Sequence, residues 1–550
     1  MSDKSSSKNN SSSVSSSFKS TVSQSLFERK GLDYVTMPMK KILWQHYVLL
    51  AISTIFTQLA RAMFYNFIQH KLWEETYSII AVQPFIDFIT IVYAQGIISA
   101  SRGNLMSLLQ NKQKNAAKAY FGCVLVIFYL TGLAVAFSFG YFTKQISTIF
   151  TNNEYVHYYV AIQVYGGLVG RSAFCFYREI MLIESRHHAA LFMDIIHGTG
   201  LILLISLLIF FVDAGVIANP NYYLIFGLVE LFSYTMATLY PIYSLIAHFS
   251  QPKKHQIQDI MNQNPLKLKL ANFIPFRLKL TLQTGSMSVP HIIRHACEPF
   301  LCCGIISLYN SYWEKVPIFA RSGIIGCEMT RFYAKVVSSF SVQAESQLRP
   351  LFSINVKTDN ITRVREFLFK GCFIICLLTF ITGAVFATFI PGLVAYKFQF
   401  KDEFIISRAS FARHAGLWTL QVPYRFVLPL IEFSKFKHVE LVQSICNWIL
   451  VIGSLTAGCL TKKRVEFNVY MIQLMLFDAF IGALLYIAYL KKYTKQLTQK
   501  KIDPETIEEM EAKMNGKKHK EEKLYVAQLQ QLEKVKPHSE FSDFLERKDV

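Results

Sequence analysis

The chain has 550 residues, 52% of them hydrophobic and only 17% charged, with 46 Phe and 28 Tyr. A soluble protein carries charge on about a quarter of its residues, so this composition excludes an ordinary water-soluble domain and favours a chain that crosses a bilayer. Net charge is +20, but the basic residues lie between apolar runs rather than on one domain, which argues against nucleic acid and for loops held on one side of a membrane.

In chain order, residues 1–40 are Ser-rich and basic, with too little apolar content to bury a core; a disordered cytoplasmic tail is expected. Apolar runs of about 20 residues, the length that spans a bilayer, then recur. They place twelve membrane spans near 43–68, 77–102, 117–142, 155–178, 190–212, 221–248, 277–308, 317–347, 365–392, 404–431, 438–460 and 467–490. The expected fold class is an all-α polytopic membrane protein of twelve transmembrane helices in two six-helix halves, 41–250 and 277–490. A cytoplasmic linker, 251–276, rich in Gln, Asn, Lys and Pro, joins them, and a charged cytoplasmic tail, 491–550, follows. Within that tail Asp503-Pro504-Glu505 reads as a helix start.

Lys and Arg fix the orientation. Lys40 and Lys41, Lys112 and Lys114, Arg186, Lys253 and Lys254, Lys357, Lys435 and Lys437, and Lys491 and Lys492 all fall on one side of a twelve-span chain; Lys462, Lys463 and Arg464 are the exception. Both termini are expected in the cytoplasm, in the plasma membrane or an organelle membrane.

The halves read as two copies of one unit. Leu105, Leu108 and Leu109 match Leu348, Leu351 and Phe352; Gly122-Cys123 matches Gly371-Cys372; Thr131-Gly132 matches Thr382-Gly383. The fourth and tenth spans both carry Tyr-Arg (Tyr177-Arg178, Tyr424-Arg425) followed by Ile-Glu (Ile183-Glu184, Ile431-Glu432). Repetition over half a chain is the signature of a transporter-like fold related by a pseudo-two-fold axis along the membrane normal. The 10 cysteines fall inside spans with no CxxC pair, so neither a zinc site nor a secreted disulfide framework is expected. No GxSxG, HExxH or phosphate-binding glycine loop occurs, and no enzyme is expected.

A charge in hydrocarbon costs ~2.5–3.5 kcal/mol on insertion scales, so intramembrane charges must face protein or water. They are Arg61, Asp87, Asp194, Glu230, Arg294, Glu298, Glu328, Arg331, Arg413 and Asp478. For each, the competing reading is a structural ion pair or a snorkelling side chain. Arg61 stands ~27 Å into its span at 1.5 Å per residue, within reach of the outer interface. Glu328 and Arg331, three apart on one helix face, can pair with each other. Glu298 follows Pro290 by about two turns on a helix that proline can bend, where desolvation would favour binding of a proton. His295 beside it titrates near neutral pH in water.

The stretches GIISASRGNLMSLLQNKQKNAAKAY, NNEYVHYYVAIQVYGGLVGRSAFCFYREIMLIESRHH, DEFIISRASFARHAGLWTLQVPYRFVLPLIEFSKFKH and FRLKLTLQTGSMSVPHIIRHACEPFLCCGIISLYN resemble the second, fourth, tenth and seventh spans of the multidrug and toxic compound extrusion (MATE) family. The wider group includes flippases for lipid-linked sugars, and the resemblance covers most of 40–490. It implies cation-coupled antiport of a small organic solute by a monomeric carrier, with no bound cofactor and a proton or sodium gradient as driving force. The chain departs from the family in three places. Its seventh span has Arg294, His295 and a single carboxylate, Glu298, without the paired Trp. Gln421 stands nearest the tenth-span Asp of relatives, and Arg61 replaces a first-span Asp. Two other readings stay open: a flippase or carrier of anionic or lipid-linked substrates, lined by Arg61, Arg102, Arg294 and Arg331, and a membrane scaffold that transports nothing.

Overall fold

The computed structural model describes residues 38–71, 76–110, 114–184, 186–217, 221–246, 278–312, 317–357, 360–398, 418–431, 438–461 and 467–502. Residues 1–37 and 503–550 of the two tails, the 251–276 linker and Arg413 lie outside them, whereas the first twelve residues of the expected C-terminal tail, 491–502, are helical. The chain divides into two units, residues 1–488 and 489–550.

A short turn, Met39–Ile42, and a π-helical stretch, Leu43–Val48, lead into α1, Leu49–Lys71. Then come α2 (Thr76–Gln110), α3 (Lys114–Gly140), the short α4 (Thr143–Phe150), α5 (Val156–Gly166), α6 (Arg171–Ile183), α7 (His187–Asp213) and α8 (Tyr222–Ile246). Beyond the linker follow α9 (Leu278–Tyr312), α10 (Pro317–Val337), α11 (Ser339–Lys357), α12 (Ile361–Glu366) and, after π-helical Phe367–Gly371, α13 (Cys372–Phe398). Helical residues 418–431 form α14, and α15 (His438–Thr461) and α16 (Phe467–Ile502) close the described chain.

The expected spans fall on these helices where they are described, residues 404–417 of the tenth lying outside the described residues, with two corrections. The fourth span is not one helix: α5 and α6 are separated at residues 167–170. The eighth is also two, α10 and α11, meeting at Ser338 and running on to Lys357. Seven described helices are long and apolar enough to cross a membrane. The tenth span reaches outside the described residues, as do side chains of the twelfth; the remaining three differ for physical reasons. Those broken at 167–170 and 338 are too short or too charged, and α1 carries Arg61 inside its apolar run.

Apolar side chains lie both inside the bundle and on its outer surface. One core draws Phe64, Ile79, Val82 and Phe226 from the first half together with Leu301, Ile305 and Ile324 from the second. A second core, around Phe121, Phe128, Phe176 and Ile180, is drawn from the first half, with Leu280 and Ile292 of α9 packed against it. Leu203, Leu207 and Phe210 on α7 and Phe373, Leu377 and Phe380 on α13 face outward and are exposed. In water such stripes would be a liability; against lipid tails they need no cover.

Besides the buried charges described below, the two halves touch at further points among the described residues. Where α1 starts, Gln343 Nε2 donates to Thr54 Oγ1 at 3.2 Å. Further in, Ser99 Oγ meets His295 Nε2 at 3.1 Å, and α2 crosses α9 so closely that a Cβ on Gly96 would lie 2.8 Å from Ile292 Cα. At the opposite end Asn310 Nδ2 donates to Ile149 O at 3.2 Å.

Candidate functional site

The site is built on the break in the fourth span. A Cβ at Gly167 would stand 2.7 Å from Thr90 Cγ2 on α2, and one at Gly170 2.7 Å from Leu231 Cδ1 on α8. At Gly167 a Cβ would also stand 2.6 Å from Gln163 O, so the break needs glycine there, while at Gly170 it would displace the end of the Leu231 side chain. The next residue, Arg171, opens α6 and is 1% exposed. Its guanidinium therefore lies between α2 and α8, donating to Asp87 Oδ1 at 2.8 Å, to Gln83 Oε1 at 3.0 Å and to Glu230. Tyr159 of α5 also donates to Glu230 and accepts from Gln83 Nε2 at 2.5 Å.

Asp87 carries the network across to the second half. Its Oδ2 accepts from Arg331 at 2.8 Å and from Lys335 at 3.2 Å, both on α10. Arg331 spends its other nitrogens on Glu328 (3.0 Å) and Glu298 (2.9 Å). Arg61 donates to Gln83 at 2.7 Å and to Tyr65 at 3.0 Å and stands 3.7 Å from Glu328. Burying such charges is tolerated only when each is paired and hydrogen-bonded.

The cluster divides evenly along the interface between the halves. The first half contributes Arg61, Arg171, Asp87 and Glu230 and the second Arg331, Lys335, Glu298 and Glu328; Arg61 with Glu328, and Arg331 and Lys335 with Asp87, pair across the interface. Each half is neutral alone, so the pairs across the interface can separate without stranding a net charge. Most members are sealed, but the Glu298 side chain is 41% exposed and that of Lys335 32%.

Several expectations are revised here. Arg61 does not snorkel to an interface; it is buried on Tyr65, Gln83 and Glu328. Glu298 is not a desolvated carboxylate, because it lies half-open at the network's edge on Arg331. Glu328 and Arg331 do pair, and both reach further, to Arg61 and to Asp87. Arg61 and Arg331 are neutralised by acids, and Arg102 is held by Glu179, so these three do not line a basic cavity. Asp194 belongs to a separate tie, accepting from Arg178 at 2.8 and 2.9 Å and from Ser53 at 2.6 Å. Gln421 is 4% exposed, and its Oε1 has no hydrogen-bond partner among the described residues. The side chain of Asp478 lies outside the described residues.

The sequence reading missed Arg171, Gln83, Tyr159 and Lys335. Arg171 did have a signal: an arginine in an apolar span directly after Gly166, Gly167 and Gly170. Gln83 and Tyr159 had none.

The paired motifs tie the same helices in both halves, with exchanged residues. Arg102 of the second span meets Glu179 of the fourth, while Glu345 of the eighth meets Arg425 of the tenth. Arg178 binds Asp194 between the fourth and fifth spans, and Tyr424 binds Gln443 between the tenth and eleventh. Tyr333 also donates to Gly383 O at 2.9 Å. In the first half Tyr93 Oη stands 2.6 Å from where a Cβ on Gly132 would be.

These features define a polytopic helical membrane fold of two like halves joined by a buried ion network. No family model and no curated protein matches the chain. Solved structures share its fold. A MATE protein in the straight conformation matches with a TM-score of 0.60 at 12% identity, over 85% of this chain and 99% of its own. An outward-facing multidrug resistance MATE transporter of the MOP superfamily matches at 0.59 and 14% identity over 85% and 99%. A MOP superfamily transporter from Pyrococcus furiosus, described as having a binding pocket of reverse polarity, matches at 0.60 and 11% over 84% and 99%. The fold of this chain is that of the MATE transporters.

Proposed function

We propose that this protein is a secondary transporter that exports an organic solute by alternating access, driven by a proton or sodium gradient. The observation that carries the reading is the even division of the central network. Asp87 is shared between Arg171 in its own half and Arg331 and Lys335 in the other. Because each half keeps two cations and two carboxylates, parting them leaves neither half with a net buried charge, although Arg61 gives up Glu328 and Lys335 gives up Asp87; an uncompensated buried charge would cost ~3–5 kcal/mol. A fixed scaffold has no need of a seam that opens this way. The shared fold with solved transporters supports the same reading.

Coupling falls to Glu298. It is the exposed carboxylate of the network, it shares Arg331 with Asp87, and it sits between Pro290 and Pro299 on α9. A cation arriving at Glu298 weakens its hold on Arg331 and so loosens the seam. The chemistry is transport, with no covalent step. The termini and linker lie in the cytoplasm in this reading, by the placement of Lys and Arg.

The test is transport in proteoliposomes under an imposed pH or sodium gradient, with a fluorescent organic cation as probe. Wild type moves the probe only with a gradient. Glu298→Gln folds and binds the probe but loses gradient-driven movement. Gradient coupling that survives in Glu298→Gln removes this residue from the mechanism, and absence of transport under either gradient removes the reading itself.

A further inference from the structure

Two charged members of the central network reach its surface, and they are of opposite sign. Glu298 of α9 and Lys335 of α10 are partly exposed, while Arg61, Asp87, Arg171, Glu230, Glu328 and Arg331 are buried. The exposed pair stands together. Lys335 follows Arg331 by four residues, so the two share one face of α10, a turn apart. Arg331 Nε donates to Glu298 Oε1 at 2.9 Å, and Arg331 Nη2 and Lys335 Nζ both donate to Asp87 Oδ2, at 2.8 and 3.2 Å. A carboxylate and an ammonium therefore flank the Arg331–Asp87 pair, one on each side.

Both groups can hold a further partner without leaving the one they have. Lys335 gives a hydrogen to Asp87, and Glu298 accepts at one oxygen from Arg331. An ammonium has three hydrogens and a carboxylate two oxygens. Charge balance narrows what that partner is. The network sets four cations against four carboxylates. A ligand of one sign would leave an excess charge at the seam, whereas a ligand that carries both signs leaves the balance as it was. Such a ligand also serves the opening step. When the halves part, Lys335 gives up Asp87, and an anionic group held there takes the place of the lost carboxylate.

We infer that Glu298 and Lys335 are the two ends of a binding site for a small zwitterion, its ammonium on Glu298 and its anionic group on Lys335. An ammonium a few bonds from a carboxylate or a phosphate meets this description, in a free solute or in an ethanolamine lipid headgroup. The inference names the substrate class of the proposed transporter and rests on that reading for its role. Binding itself needs no gradient, so the two can fail separately. The substrate's ammonium and the coupling cation compete for Glu298, and one site exchanges them.

Three probes on one fluorophore isolate the two charges. Nε-dansyl-lysine carries both, dansylcadaverine lacks its carboxylate, and dansyl-aminohexanoate lacks its ammonium. The full chain in phosphatidylcholine nanodiscs is titrated calorimetrically with each at neutral pH, with empty nanodiscs as blank. Wild type binds Nε-dansyl-lysine at least tenfold tighter than either relative. Lys335→Gln erases its advantage over dansylcadaverine. Glu298→Gln, which keeps an accepting oxygen but no charge, still binds it and erases its advantage over dansyl-aminohexanoate. A lesion that only loosened the fold would weaken all three probes alike. If Glu298→Gln fails to fold, Lys335→Gln gives the answer. Repeating the titration with phosphatidylethanolamine in the nanodiscs separates the sources: binding that persists assigns a free solute, and binding lost there but kept in phosphatidylcholine assigns the headgroup. Equal affinity of wild type for the three probes overturns the proposal, as does an undiminished preference in Lys335→Gln. Preference for the zwitterion without gradient-driven movement in proteoliposomes upholds the site and removes the transport reading. Gradient-driven movement of an organic cation without that preference upholds transport and removes the site.

Discussion

Replacing Asp87 with Asn keeps the shape of the side chain and removes its charge. Asp87 holds Arg331 at 2.8 Å and Lys335 at 3.2 Å across the seam between the halves. Lys335 is a third exposed and its pairing is screened, so we count only the Arg331 bond. One hydrogen bond to a charged partner contributes about 1.5–3 kcal/mol. The closed arrangement should lose that amount, lowering the closed-to-open ratio about 10- to 150-fold. The readout is a cysteine pair at Ile149 and Asn310, whose native groups are 3.2 Å apart at one end of the seam. Cross-linking by a short bifunctional thiol reagent, with the product identified by peptide mass spectrometry, reports the closed population. Asp87→Asn should cross-link more slowly than wild type. Glu230→Gln is the control, because its partners Arg171 and Tyr159 lie in its own half. Equal cross-linking in Asp87→Asn and Glu230→Gln would refute the claim that the network holds the halves together.

Further outcomes follow from other contacts. Gly96→Ala would put a Cβ 2.8 Å from Ile292 Cα, forcing α2 and α9 apart; it should slow cross-linking of the same cysteine pair without altering any charge. Arg102→Glu places a second carboxylate beside Glu179 and should lower the melting temperature in detergent. The double reversal Arg102→Glu with Glu179→Arg should recover much of the loss, because the second half already pairs Glu345 with Arg425 in that polarity. A cysteine at Asn262, in the linker outside the described residues, should resist a membrane-impermeant thiol reagent applied to intact cells. Efficient labelling there would reverse the orientation.

The sequence carried the helices because a bilayer imposes a length and a polarity on each span, and both are local. It carried the repeat through Gly122-Cys123 and Gly371-Cys372 and through the two Tyr-Arg pairs. Six of the eight charged members of the network, Arg61, Asp87, Glu230, Glu298, Glu328 and Arg331, stood out as intramembrane charges. Their partners did not. A helical period reports neighbours three or four residues away, which is why Glu328 with Arg331 was legible. Asp87 and Arg331 are 244 residues apart, and only the packing of α2 against α10 brings them together. Arg171 was overlooked because the fourth span reads as one helix when its glycines are taken as packing residues; the break at 167–170 turns the arginine inward. Glu298 was read as desolvated because the sequence cannot show which face of α9 is covered.

The most direct test of the account is transport by the Ile149Cys/Asn310Cys pair in proteoliposomes, measured with the halves free, cross-linked, and released by reduction. A protein that works by parting its halves at this seam should move the fluorescent cation when free, stop when cross-linked, and resume when the link is reduced. Transport that continues at the same rate while the pair is fully cross-linked would contradict it.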